Sequence, residues 1–579
     1  MIAGISVLPS LKKYVLRATE RMTLIGRPTR ILLLGVGLGI ITGLTAVAFR
    51  SLIIFSNSLF FPHDPQVGLL FGRWWRYLAF MIPAIGGLLV GGIMYLFFRE
   101  EEPLSGVPEV MAAVSLKGGL LNPKMGLKGL LSAITIGSGG SAGPEGPIVE
   151  IGSSLGSYLG QKLRLTGSEL RLLAGCGAAA GIAAVFGAPL GGVFFALEII
   201  LGEFAINTFA PVVLSAVAAS VISRTFLGDQ PAFQVTAVTS LGSLYDIIPF
   251  LALGLLSGLV SVLFINALYK GQSLFGRYKF SSWLKPAIGG LMVGVLGLAL
   301  PQVLGEGYHS VTAILNGNIL WWTALLLVFA KILATSLTLG SGAPGGSFAP
   351  AVFIGAMLGG AFGQLLAFLF PGFFVYNASY ALAGAAGVVA GALNAPLTAG
   401  LIIFEITGTY KIVLPAMIVV AISAMITKRM KGSSVYTQAM FKAGLPVDQL
   451  RRHSHLSSAT CRQAMKRDIM AILPQMSLHD IIKAISRTDQ LILPVIDDNN
   501  KYLASVNWSQ LRLFLEEEQT GGLIIAHDVM IKVPQVNADD SLSLALMHLI
   551  KNDMQEIPVV ENGKLVGLIG NKEILKGGF

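Results

Sequence analysis

Two glycine-rich runs that end in proline carry the most suggestive chemistry of this sequence: Gly143-Pro144-Glu145-Gly146-Pro147 and Gly345-Gly346-Ser347-Phe348-Ala349-Pro350. Proline in a first helical turn starts a helix without sacrificing a needed N–H. Each run therefore predicts a helix N-terminus, where free backbone N–H groups and roughly half a positive charge from the helix dipole face outward. Such an end is a ready-made seat for an anion. A flexible hinge between packed helices would explain one such loop, and explains two at matching positions poorly.

Glu145 lies on the first of these anion-attracting surfaces, in a sequence that otherwise places few carboxylates in its apolar stretches. A carboxylate there competes with a bound anion, unless it serves only as an N-cap. Desolvation and helix dipoles act on its protonation in opposite senses, so protonation could release it and tie occupancy to pH. Lys128 and Lys331 stand inside apolar segments. They are either snorkelling side chains or buried positive charges that favour anions.

The elements that position these residues occur twice. Gly137-Ser138-Gly139, Pro147, Ile151-Gly152 and Leu155-Gly156 return as Gly340-Ser341-Gly342, Pro350, Ile354-Gly355 and Leu358-Gly359, at a constant offset of 203, which also relates Lys128 to Lys331. Ala188-Pro189-Leu190 and Glu198 return as Ala395-Pro396-Leu397 and Glu405 at an offset of 207. Duplicated halves with Gly/Pro-interrupted apolar segments point to a substrate site at a bilayer midplane. Irregular backbone at that depth is tolerated only where it lines a polar cavity.

Composition requires the bilayer. The 579 residues are 54% hydrophobic and 12% charged, with a mean hydropathy of +0.72, far from soluble averages. Ile31 to Ser56, Trp74 to Phe98, Ile247 to Leu268 and Trp321 to Leu339 each suffice to span a hydrocarbon core of about 30 Å. Lys12, Lys13, Arg17, Arg21, Arg27 and Arg30 precede the first span without a small-residue cleavage pattern. This predicts a cytoplasmic segment 1–30 ahead of a membrane domain at 31–442, with repeat halves at about 31–225 and 245–442. Both termini are expected on the cytoplasmic side of a bacterial inner membrane. The net charge of +10 collects in the N-terminal segment, loops and tail, so it speaks for membrane topology and against nucleic acid. Cys176 and Cys461 form neither a disulfide framework nor a zinc cluster, and the seven histidines show no metal-ligand spacing. No nucleophile with a base converges in the spans, so an enzyme is not expected and no cofactor is required.

Hydropathy falls after Ile426, where Lys428, Arg429 and Lys431 mark a membrane exit, and a polar linker at 443–460 leads to a soluble tail at 461–579. Met476-Ser477-Leu478 and Leu493-Pro494-Val495-Ile496 recur there as Asp540-Ser541-Leu542 and Ile557-Pro558-Val559-Val560, at a spacing of 64. Two copies of one small α/β unit follow, at about 461–517 and 526–579. With the closing Gly567-Leu568-Ile569 they resemble tandem cystathionine-β-synthase-type (CBS) domains. In that resemblance an acidic residue after a helix binds the ribose of an adenine nucleotide. Glu573 holds the place in the second copy and Gln510 in the first, so at most one weak nucleotide site is expected, or a purely structural tail.

Leu104-Ser105-Gly106-Val107-Pro108-Glu109, Gly143 to Pro147, Gly346 to Pro350 and Ser434-Val435-Tyr436 together resemble the CLC chloride channels and proton/chloride exchangers over nearly the whole chain. The resemblance implies an all-α membrane domain of about eighteen tilted or broken helices in an inverted repeat, and a homodimer of two independent pores. It implies that Ser105 and Tyr436 supply hydroxyls to chloride, that Gly146, Ser347 and Phe348 complete the anion site with backbone groups, and that Glu145 is the external gate. Leu104, Pro144 and Met111 depart from the usual pattern without removing an anion ligand. Ser105, where nitrate-preferring relatives resemble one another in carrying proline, favours chloride. Ile199, directly after Glu198, stands where exchangers usually carry a second glutamate, and isoleucine cannot pass a proton. Glu203, read as one α-helical turn beyond it, is the candidate substitute relay. Passive conduction gated by Glu145 and pH, and proton-coupled exchange through a non-standard relay, both remain open.

Overall fold

In a computed structural model the chain is described at residues 26–61, 79–98, 104–228, 233, 244–278, 280–371, 378–443, 445, 459–485, 488–507, 524–552 and 554–577. The basic residues of the N-terminal segment before Gly26, most of the linker, and Gln510 lie outside these. Eight helices among the described residues are long and apolar enough to cross a membrane.

Helices of the first half are α1 Arg27–Phe60, α2 Ile82–Phe97, α3 Val107–Leu116, α4 Pro123–Leu130, α5 Ser132–Gly137, α6 Glu145–Lys162, α7 Gly167–Phe186, α8 Pro189–Phe195 and α9 Ile206–Leu227. The second half runs α10 Ile247–Arg277, α11 Lys285–Ala299, α12 Tyr308–Leu315, α13 Trp321–Gly340, α14 Phe348–Leu369, α15 Ala378–Leu393, α16 Pro396–Thr407 and α17 Val413–Lys431. The short α18, Val435–Lys442, follows without a counterpart among the described residues of the first half. Long helices, short helices and breaks match in order, as the doubled motifs anticipate. α13 stands where α4 and α5 stand in the first half.

The matching extends to backbone conformation. Gly139 and Gly342 adopt φ of +93° and +91° at the turns before the two glycine-rich loops, a region costly for any residue with a Cβ. Gly187 and Asn394, 207 positions apart, both take left-handed values, +64° and +54°, where α7 and α15 end. Asparagine is among the few other residues that tolerate this conformation. Each half then crosses a long helix against the next at small residues. A Cβ on Gly152 of α6 would strike the Gly177 carbonyl of α7, and one on Gly355 of α14 would strike the Gly384 carbonyl of α15. Close backbone approach of this kind replaces the hydrophobic driving force that lipid removes.

Two carboxylates join the halves reciprocally. Glu198 accepts from the backbone N–H of Thr398 at 2.9 Å and its hydroxyl at 2.7 Å, at the start of α16. Glu405 accepts from the N–H groups of Leu190 and Gly191 at 3.0 and 2.7 Å, at the start of α8. Each short helix thus has its first-turn amides satisfied by the other half, with a negative charge at the positive end of its dipole.

The tail is a separate unit. β1 Ile492–Ile496 and β2 Tyr502–Asn507 pair antiparallel, and β3 Val536–Asn537, β4 Glu556–Glu561 and β5 Lys564–Gly570 form a three-stranded sheet in that order, β3 and β4 parallel. Leu478, Ile481 and Ile485 of one amphipathic helix cover the first sheet, and Leu542, Ala545 and Leu549 of another cover the second. Cys461 sits in the second core, where burial pushes its thiol up to about 12, so it packs as a small apolar group.

Candidate anion site

The two proline-ended loops meet. Gly143 and Gly346 exchange backbone hydrogen bonds of 2.9 and 2.7 Å as an antiparallel bridge, so α6 and α14 start from one place. Glu145, the first residue of α6, is fully buried, and its Oε1 accepts the backbone N–H of Phe348, the first residue of α14. A carboxylate from one half therefore occupies the amide seat of the other. Its Oε2 is buried without a hydrogen-bond partner. A Cβ on Gly346 would collide with Oε1, and one on Gly143 with Oε2. Both glycines are required for the side chain to lie where it does.

Ser347 holds the N-cap position of α14 without a side-chain capping bond, and Phe348 is fully buried, its ring centroid 5.0 Å from that of Phe186. Tyr436, at the second residue of α18, is buried beside the Ser347 side chain, yet its hydroxyl has no partner of hydrogen-bond geometry. A buried donor left unpaired costs about 1–3 kcal/mol. An anion between Tyr436 and the α14 amides would remove that cost. Tyr269 on α10 donates its hydroxyl to the Val435 carbonyl and so fixes the start of α18, a positioning contact with no signal in the sequence. Ser105 is exposed and precedes Gly106, whose Cβ position would lie 3.9 Å from the Gly146 Cα. The Ser105 loop thus packs on the Gly146 turn.

Neither intramembrane lysine reaches solvent. Lys128 donates to the Leu104 carbonyl at 3.4 Å and stands 3.8 Å from Glu109 Oε2. Lys331, fully buried, donates to the carbonyls of Val303 and Gly305 at 2.9 and 2.8 Å and lies 5.0 Å over the Phe353 ring. The snorkelling alternative does not hold, because both ammonium groups are spent on loop carbonyls inside the protein.

Two further expectations need correction. Glu145 is not nearly alone among buried carboxylates: Glu109 and Glu150 are 7% and 2% exposed, and Glu150 accepts the Gly106 N–H. Nor does Glu203 stand one α-turn beyond Ile199. Residues Ala196–Leu201 form a π-helical turn, Gly202 ends it at φ +69°, and the Glu203 N–H bonds the Leu197 carbonyl at 3.2 Å. The widened turn breaks the i, i+4 relation on which the reading rested. The Glu203 carboxylate is 3.7 Å from Arg171, which also donates to the Leu201 carbonyl at 2.7 Å. Ile199 itself is 3% exposed.

This geometry has known relatives. The family model described as "Voltage gated chloride channel" matches residues 86–428. The chain belongs to that family, the CLC proteins. Models of the CBS domain match 461–517 and 526–577. The chain is 35% identical over 373 residues to a putative chloride channel protein ClcB-like of Ralstonia nicotianae, covering 63% of this chain and 86% of the relative. It is 31% identical over 419 residues to the H(+)/Cl(-) exchange transporter ClcA of Salmonella arizonae, covering 71% and 88%. Among solved structures, a slow cyanobacterial Cl-/H+ antiporter superposes with a TM-score of 0.65 at 25% identity, over 73% of this chain and all of that one. A eukaryotic CLC transporter shares the fold at 0.64 and 22%, over 95% and 98%. The CLC membrane protein transports chloride, and the all-α membrane fold with an α/β CBS tail is as anticipated.

In the tail, a cavity of about 650 Å³ is lined in part by Lys466, Asp489, Leu491, Glu556, Gly570 and Glu573. Glu573 Oε2 accepts the Gly570 N–H at 3.2 Å. Burial pushes the Glu556 carboxyl up, whereas the hydrogen bond from Lys466 holds the Asp489 carboxyl down.

Proposed function

We propose that this CLC protein conducts chloride passively, with Glu145 as a gate that competes with the anion for one amide seat. The reading is carried by the Glu145 carboxylate on the Phe348 N–H, with its second oxygen unpartnered in a buried site. Ser105, Gly146, Ser347, Phe348 and Tyr436 then hold the chloride that replaces it. On the inner side, Ile199 is buried and Glu203 is tied to Arg171, so neither offers a proton path toward Glu145. Lys128 and Lys331 support the site by anchoring its loops. We further propose a homodimer in a bacterial inner membrane, with both termini cytoplasmic, and a tail that takes at most one adenine nucleotide, at Glu573.

A second reading, proton-coupled exchange, is favoured by the 31% identity to an H(+)/Cl(-) exchange transporter. The two differ in thermodynamics. In a passive pathway the potential of zero flux depends on chloride alone, whereas in an exchanger it also shifts with a pH gradient, on a scale of about 2.3 kcal/mol per charge per 100 mV. We expect that potential in proteoliposomes to track chloride and ignore pH. A shift abolished by Glu203→Gln would establish exchange through Glu203, and one that survived it would mean that Ile199 does not decide the mechanism.

A further inference from the structure

The two halves differ most informatively at the residue that precedes a short helix by two positions. In the first half that residue is Ser105, before α3; in the second it is Glu306, before α12. Each is followed by a left-handed glycine, Gly106 at φ +72° and Gly307 at +85°. Each glycine carbonyl then accepts from the helix that follows: Gly106 from Glu109 and Val110 at 3.1 and 3.4 Å, Gly307 from Ser310 and Val311 at 3.1 and 3.2 Å. Each loop is pinned by the equivalent lysine, Lys128 on Leu104 and Lys331 on Val303 and Gly305. Glu306 is thus the structural counterpart of Ser105, although the two residue types share nothing in the sequence repeat.

An inverted repeat brings equivalent loops to one central site from opposite faces of the membrane. The Ser105 loop packs on the Gly146 turn. Its counterpart is bound to the segment leading into the same turn, because the Gly305 N–H donates to the Gly139 carbonyl at 3.2 Å. The Glu306 carboxylate is within electrostatic reach of Glu145, of Tyr308 at the start of the helix that follows it, and of the cations Arg50 of α1 and Lys331 of α13. The Tyr308 hydroxyl is buried and unpartnered, as is Oε2 of Glu145. His309, next along the chain, is exposed. Two carboxylates, two cations and two unsatisfied oxygens therefore share one neighbourhood.

We propose that Glu306 is the outer ionisable partner of the gate, the charge that sets the external pH at which Glu145 leaves the α14 amides. It is a positioning residue, acting through Glu145, and the proposal rests on the reading of Glu145 as the gate. The physical cause is direct. A negative charge near Glu145 favours the protonated, released side chain, and its removal favours the bound carboxylate.

The test is chloride efflux from proteoliposomes holding the full chain, measured against external pH. Glu306→Gln should move the midpoint of the pH response down by about half a unit to one unit, and Glu306→Ser, which copies the first half, should do the same if the amide variant folds poorly. In a Glu145→Gln background neither substitution should move anything. An unchanged or raised midpoint in folded Glu306→Gln or Glu306→Ser, with the response still reduced several-fold by Glu145→Gln, would overturn the proposal and leave the gate intact. A parent-like pH response in Glu145→Gln would overturn the gate, and this proposal with it.

Discussion

At the scale of single residues, the proposed function is a competition between one carboxylate and one anion for the same backbone donors. Charge-assisted hydrogen bonds are the strong kind, so in the proposed gate an ionised Glu145 holds the Phe348 amide firmly, and protonation would remove that advantage. We expect Glu145→Gln to keep chloride flux while its pH dependence falls several-fold, to about the level set by other groups, and Glu145→Ala to open the external path. Gly346→Ala should approach the same behaviour from the opposite side of the contact, since its Cβ would occupy the position of Oε1. Efflux from liposomes at two external pH values checks all three. A parent-like pH response in both Glu145 variants would remove Glu145 from the gate. Much of this is legible in the sequence, because proline, glycine and a glutamate at a helix start dictate their own chemistry. Tyr269 and Glu306 were not, because their roles depend on partners 166 positions away for the former and on a neighbouring half for the latter.

At the scale of elements, the exchanged caps at α8 and α16 show how two halves that cannot rely on hydrophobic segregation in lipid hold a fixed register. Glu198 and Glu405 each satisfy first-turn amides that would otherwise remain unpaired. Removing one carboxylate should cost about 1–3 kcal/mol. Glu405→Ala should therefore lower the thermal midpoint of the detergent-solubilised protein by a few degrees, and Glu405→Gln, which keeps one acceptor, should lower it less. Equal midpoints for all three proteins would show that the cap contributes nothing. The recurrence of Ala-Pro-Leu with a downstream glutamate was visible in the sequence. That each glutamate serves the other copy's helix was not. The π-helical turn at Ala196–Leu201 is equally hidden in the sequence, and it carries Glu203 off the position that 3.6 residues per turn would give it.

At the scale of the whole molecule, membrane transport and a soluble tail are joined in one chain. The tail cavity gathers Asp489, Glu556 and Glu573 with Lys466, and the first copy lacks an acidic residue at Gln510. We expect calorimetry on the full-length protein to show no more than one adenine nucleotide per subunit, bound weakly enough that Glu573→Ala abolishes the heat. Tight binding of two per subunit would contradict this.

What the sequence determined by itself is whatever local chemistry and periodicity enforce: apolar lengths that demand lipid, prolines and glycines that break helices, repeats at fixed offsets, and helix ends that attract anions. The tertiary structure alone decided which of those ends meet. The Gly143–Gly346 bridge, Glu145 seated on the other half's amide, the two lysines turned to loop carbonyls, and the Glu306 loop tied to the segment before the Glu145 turn all arise from residues far apart in the chain. Spacing along a sequence reports neighbours on one helix. It carries no information on which face of a duplicated half is set against its twin.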